Sequence, residues 1–213
     1  MAEFSFLNSQ LPPTTLSGKF TLKASPKTDI YAAPAHGYVF TAPIAYKQIH
    51  TSQFQRARLT ITLRWTRLYD QGGLILFFPA TPGQVPDAQI AATKAAHPRW
   101  VKAGVEVNDG QAFASVVARD EWADWSLGAL PARAESGGER TARATIAFKR
   151  HGNALMVVVV DGGKETLLRE VQWVFCDERD SVDCYIGVYV ARPDSKGEAD
   201  GELEVEFEDL EIQ

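Results

Sequence analysis

Cysteine is scarce in this chain: two residues in 213, Cys176 and Cys184. They flank the polar segment 177–183, and a hairpin there would bring them face to face. Residues 1–10 lack the basic start and apolar block of a secretory signal, so free thiols and a cytoplasmic location are the expectation. No run of about eighteen apolar residues occurs, which argues against a transmembrane helix and a membrane partner. An excess of basic residues is also missing. The net charge is −5, and a nucleic-acid binder needs a basic stripe to neutralise phosphates. The four histidines, His36, His50, His97 and His151, lack metal-ligand spacing, so no transition-metal site is expected. There is no Gly-x-Ser-x-Gly elbow and no phosphate-cradling glycine loop. Helical periodicity is nearly absent. The Ala-rich stretch 86–96 is the one place where a short helix, or a loop insertion, is predicted.

What is present is a period of two. Leu59, Ile61, Leu63 and Trp65 alternate with Thr60, Thr62, Arg64 and Thr66. Ala144, Ile146 and Phe148 form a second such run, Ile186, Val188 and Val190 a third, and Leu203, Val205 and Phe207 a fourth. Each reads as a half-buried antiparallel strand. Residues 155–160 are continuously apolar and read as a strand buried on both faces. Turn signals at His151-Gly152-Asn153 and Asp161-Gly162-Gly163 separate these runs. Short strands, regular turns and little helix predict an all-β sandwich or jelly roll. No repeat and no linker divides the chain, so one domain over residues 1–213 is expected. Residues 131–140 read as a polar surface loop, suited to a flap at a groove's rim.

The segment Trp100-Val101-Lys102-Ala103-Gly104-Val105-Glu106 carries the most chemistry. Read as a strand, it puts Val101, Ala103 and Val105 on a small apolar face. The opposite face carries Trp100, Lys102, Gly104 and Glu106: an aromatic plate, a cation, a gap and a carboxylate. A strand face that merely met water would show interchangeable Thr, Ser, Lys and Glu. A plate beside a few polar groups instead suits a flat polar ring such as a sugar.

Two further segments belong with it. In Tyr69-Asp70-Gln71-Gly72-Gly73, the glycines permit a tight bend that would present Asp70 and Gln71. In Asp124-Trp125-Ser126, close after Trp122, one tryptophan is expected to face a groove. The order of Tyr69-Asp70-Gln71-x-Gly73-Leu74, Trp100-x-Lys102-x-Gly104-x-Glu106, Ser115-Val116-Val117 and Asp124-Trp125-Ser126 resembles a domain family of unknown function. That family lies in the concanavalin A-like lectin/glucanase superfamily and includes a fungal "regulation of enolase protein". The late pattern Ile186 to Ala191 and the strand ending at Ile212 are similar to the superfamily's closing strands. The resemblance implies two curved antiparallel sheets with a ligand groove on the concave one. Trp100, Lys102 and Glu106 would point into it, joined by Asp70, Gln71 and Trp125, with Tyr189 on a further strand. It also implies no settled reaction. Related sandwiches often carry a structural calcium, but the acidic segment 177–183 lacks the glycine and spacing of a calcium loop and reads as solvated.

The expected function is therefore a binding protein for a small carbohydrate or polar metabolite. Trp100 and Trp125 would stack, and Asp70, Gln71, Lys102 and Glu106 would hydrogen-bond. A regulatory or scaffolding protein acting on a protein partner is the alternative. A glycoside hydrolase or lyase using Glu106 with Asp70 is the second. Lys102 beside Glu106 is expected to hold that carboxylate ionised. Glu202, Glu204 and Glu206 read as a solvated face on a closing strand, whose charge would discourage edge-to-edge pairing and favour a monomer.

Overall fold

Alternation along the chain becomes two facing sheets in the structure, a computed structural model that describes residues 3–9, 16–131, 140–176, 179, 181–194 and 201–213. The strands are β1 (Ser5–Leu7), β2 (Lys19–Ala24), β3 (Ile30–Ala33), β4 (Gly37–Phe40), β5 (Ile44–His50), β6 (Arg56–Arg64), β7 (Gln71–Phe78), β8 (Arg99–Asn108), β9 (Gln111–Arg119), β10 (Ala123–Gly128), β11 (Thr141–His151), β12 (Ala154–Asp161), β13 (Lys164–Val171), β14 (Asp183–Ala191) and β15 (Leu203–Ile212). One sheet has seven strands in the order β1-β5-β14-β7-β8-β9-β10. The other has six, in the order β13-β12-β11-β6-β15-β2, and β3 and β4 form a separate hairpin. Every pairing between strands is antiparallel. The all-β sandwich expected from the alternation is the observed fold.

Between the sheets lies the main core. Leu59, Ile61 and Leu63 of β6 meet Leu74 and Leu76 of β7, Val101, Ala103 and Val105 of β8, and Val205 and Phe207 of β15. Period two puts these side chains on inner faces. In the apolar run of β12, Leu155, Val157 and Val159 are buried against this core, while on the other face Val158 is buried and Met156 and Val160 are half-buried. Cys176 and Cys184 are free.

A second core lies on the outer face of the seven-stranded sheet. Ile30 and Phe40 of the β3–β4 hairpin cover Ile75, Phe77, Trp100, Val117, Tyr185 and Tyr189 there. The stretch 86–96 helps close this end. It forms one 3-10 turn, Ile90–Ala92, and no helix. Ala91 is buried there, so the alanines serve close packing instead of helix propagation.

His97 seals this layer. Its Nδ1 lies 2.6 Å from the Ala91 carbonyl oxygen, and its Nε2 is 3.1 Å from the Trp100 indole Nε1. A neutral ring satisfies both contacts, with Nδ1–H donating and Nε2 accepting. Burial, aided by Arg119, pushes its pKa from 6.5 down to about 4, against the pull of the Ala91 carbonyl. Between those values the unfolded chain binds more protons than the folded one. His97 therefore contributes stability that is present above pH 6.5 and lost as pH falls towards 4, on the order of 3 kcal/mol. In urea denaturation, the advantage of the wild type over His97→Gln should shrink across that window. A difference independent of pH would contradict the neutral bridge.

The glutamates of β15 do meet solvent, paired across the sheet to Lys23, Lys19 and Arg143. But β15 is not an edge strand, because it lies between β6 and β2. Its charge therefore guards no open edge, and the argument for a monomer loses its basis. Of the expected flap, residues 132–139 lie outside the described residues, as do 177, 178 and 180 of the acidic segment. Among the described residues, no cluster of three or more His, Cys, Asp or Glu is arranged to hold a metal. No helix among them is long and apolar enough to cross a membrane.

Candidate functional site

Strand register sets the floor of a cleft on the uncovered end of that outer face. Gln71 of β7 stands opposite Glu106 of β8. The next row on this face runs Tyr189, Gly73, Gly104 and Ser115, and the one after it Ile75, Lys102 and Val117. Gly73 and Gly104 oppose each other directly and leave the middle of the floor without side chains. A Cβ on Gly104 would lie 2.0 Å from the Gly72 carbonyl oxygen, and one on Gly73 2.1 Å from that of Ala103. The gap read from the sequence is therefore a requirement of strand contact as well as an opening.

Around this floor is a cleft of about 530 Å³. Gln71, Lys102 and Glu106 line its base, Tyr31, His36 and Val39 one wall, and Leu68, Tyr69 and Trp125 another. Leu68, Tyr69 and Trp125 are 36–39% exposed, a high value for large apolar side chains. Clustered exposed apolar surface marks contact sites. Tyr69 and Trp125 meet edge to face with ring centroids 6.1 Å apart. Tyr69 has φ +63°, a left-handed conformation that is a genuine outlier for a bulky residue. It is held there by its N–H on the Val107 carbonyl and by the Val107 N–H on the Asp70 carbonyl. The bend expected at Gly72-Gly73 is thus made at Tyr69, and both glycines lie inside β7.

The polar base is tightly bonded. The Lys102 ammonium donates to Gln71 Oε1 at 2.7 Å and lies 3.5 Å from Asp29 Oδ1. It also sits over the rings of Trp100 and Tyr189, at 5.7 and 5.5 Å. Tyr189 donates its hydroxyl to the same Gln71 oxygen. Ser115 Oγ and Trp125 Nε1 both donate to Glu106 Oε2. Burial raises the Glu106 pKa. Lys102, Ser115 and Trp125 oppose the rise, and the Asp29 charge adds to it. Lys102 does favour the ionised form, as expected, but desolvation outweighs it and the net shift is upward.

Four expected site residues thus line or complete this cleft: Lys102, Glu106, Gln71 and Trp125. Tyr189 lies beneath it, 1% exposed, and touches its base through Gln71 and Lys102. Trp100 does not take part. It points to the predicted face but is fully buried under the hairpin and the 85–97 segment, so no ligand can stack on it. Asp70 is also displaced from its expected role. Its side chain is fully buried, and its carboxylate accepts two bonds from Arg192, at 2.9 Å each, plus the N–H groups of Thr66 and Arg67. That carboxylate is a structural clamp, which removes it as a catalytic partner of Glu106. The sequence reading missed Asp29, Tyr31, His36, Leu68 and Asp194, all of which line the cleft. The alternation of Ile30 and Ala32, buried, with Tyr31 and Ala33, half-buried, was the available signal.

A larger cleft of about 870 Å³ lies near Lys94, Arg99, Arg119, Asp120 and Glu121. Its charges pair with one another, Lys94 with Glu121 and Arg99 with Asp120, and its aromatic lining among the described residues, Phe78 and His97, is buried. The smaller cleft is therefore the candidate site.

Residues 10–213 match the model of a family described as "Protein of unknown function (DUF1349)". An uncharacterized protein of Emericella nidulans is 39% identical over 198 residues, covering 93% of this chain and 88% of its own. Regulation of enolase protein 1 of Saccharomyces cerevisiae is 25% identical over 126 residues, covering 59% of this chain and 54% of its own. Among solved structures, a functionally unknown protein from Saccharomyces cerevisiae has a TM-score of 0.66 at 20% identity, covering 99% of this chain and 95% of that one. The GH43 protein BlXynB from Bacillus licheniformis has a TM-score of 0.57 at 10% identity, covering 89% of this chain and 31% of that one. LamA from Z. galactanivorans, in complex with laminaritriose and laminaritetraose, has a TM-score of 0.53 at 9% identity, covering 94% and 79%. At these identities the structural likenesses establish the concanavalin A-like sandwich fold and nothing further.

Proposed function

We propose that this chain, which belongs to the family described as "Protein of unknown function (DUF1349)", is a binding protein for a carbohydrate or a similar polar ring compound, taken up in the cleft between Trp125 and Tyr31. One observation carries the reading. Exposed aromatic side chains, Tyr69 and Trp125, stand over a base of buried polar groups, Gln71, Lys102 and Glu106. Apolar ring faces cover the C–H face of a sugar, and fixed polar groups below orient its hydroxyls. The complex of LamA, a protein of similar fold, with laminaritriose and laminaritetraose supports the reading. The hydrolase reading that pairs Glu106 with Asp70 is set aside because Arg192 occupies both Asp70 oxygens.

The regulatory reading draws on the name of the yeast relative and on the same exposed residues, Leu68, Tyr69 and Trp125. A thermal-shift panel of neutral and charged oligosaccharides separates the two. A ligand that binds only the folded protein raises its melting temperature. Binding should weaken at least about tenfold in Trp125→Ala, in keeping with the loss of a stacking ring. It should persist in Trp100→Phe. No shift with any sugar, in a folded protein, would favour the protein-partner reading.

A further inference from the structure

Glu106 holds an asymmetric carboxyl group. Ser115 Oγ–H and Trp125 Nε1–H both donate to Oε2. Among the described residues no donor reaches Oε1, and it is not a sealed, unsatisfied atom either. Glu106 lines the cleft, so Oε1 is the oxygen open to a ligand. With two donors already on Oε2, a proton on this group resides on Oε1 and points where the ligand sits.

Among the described residues, one lysine, Lys102, lines the cleft. The Lys102 ammonium is engaged by Gln71 and Asp29, lies over two rings and is 2% exposed. It offers little to an incoming anion, whose desolvation would go uncompensated.

On the reading of the cleft as a sugar site, we propose that its ligand is an uncharged polyhydroxylated ring that accepts a hydrogen bond from the protonated Oε1 of Glu106. Binding is then coupled to that proton. Burial already favours the protonated form, and a ligand oxygen on Oε1–H favours it further. The affinity is therefore highest at low pH and falls as pH rises through the Glu106 transition. Among the described residues, the titratable groups facing the cleft are Lys102 on β8, Asp29 before β3, Tyr31 and His36 on the hairpin, Tyr69 before β7 and Asp194 after β14, with Tyr189 of β14 beneath it. His36 is the imidazole that lines the cleft, which makes it the control.

The test is calorimetric titration at pH 5 and pH 8 with three probes: neutral laminari- and xylo-oligosaccharides, oligogalacturonides, and deacetylated chito-oligosaccharides. The wild type should bind a neutral probe, with affinity falling at least about tenfold from pH 5 to pH 8. Glu106→Gln keeps an acceptor for Ser115 and Trp125 and presents a permanent donor to the cleft, so its affinity should be independent of pH. His36→Gln, whatever its absolute affinity, should retain the slope. The anionic probe should bind at least about tenfold more weakly than the neutral one. Equal or tighter binding of oligogalacturonide, or of the cationic probe with affinity rising with pH, overturns the proposal while leaving the sugar site intact. So does a flat wild-type profile, which needs no variant to read. Failure of all three probes removes the sugar reading and this proposal with it.

Discussion

Asp70→Ala should cost about 3–5 kcal/mol of folding stability, the range for removing one partner of a buried ion pair. The variant leaves the Arg192 guanidinium, 2% exposed, without its counter-charge. Arg192 would keep only Thr66 Oγ1 and the Gly201 carbonyl, both uncharged acceptors. The two loop N–H groups of Thr66 and Arg67 would lose their acceptor as well. A domain of this size has about 5–15 kcal/mol in total, so the effect is a large share of the whole. The role is separable from ligand contact. Urea denaturation should show the loss, and sugar affinity measured where the variant is still folded should change little. A variant with wild-type stability and no binding would return Asp70 to the site.

Gly104→Ala is the second large effect. The added carbon would land 2.0 Å from the Gly72 carbonyl oxygen and 2.7 Å from the Gly73 Cα, both backbone atoms. No rotamer relieves such a contact, so β7 and β8 must separate at the centre of the seven-stranded sheet. Overpacking of this kind costs about 3 kcal/mol or more, on the order of 10 °C in melting temperature for a chain of this length. Gly104 has an ordinary φ, so backbone strain is not the cause. Gly110→Ala makes the contrast. It sits at φ +76° in a turn with nothing within 4 Å of an added Cβ, and its cost should be the smaller one of a strained turn. Equal losses at the two positions would contradict the crowding argument.

The strands were legible because period two survives any tertiary context. β8 even has the predicted faces, with Val101, Ala103 and Val105 in the inter-sheet core. What lies over a face was not legible. Trp100 and Lys102 share a side of one strand, yet the β3–β4 hairpin, some seventy residues earlier in the chain, seals the first and leaves the second at the cleft. Asp70 reads as a turn carboxylate until Arg192, 122 positions on, is placed against it. The Glu106 shift inverted for a related reason. The nearby Lys102 is visible in the sequence, whereas the burial that outweighs it is a property of the folded sheet. Edge position has the same character: the charge on β15 is local, but its two neighbours are not.

The aromatic wall is the part of the site where sequence and geometry meet most closely. Trp125 combines exposure, an edge-to-face partner and a hydrogen bond to Glu106 in one side chain. The direct measurement is therefore a titration of a neutral oligosaccharide into ¹⁵N-labelled protein, following the indole N–H resonances. The account predicts that the Trp125 resonance moves with saturation while the Trp100 resonance, bonded to His97 in the sealed layer, stays in place. A saturating ligand that moves other resonances and leaves Trp125 unshifted would contradict it.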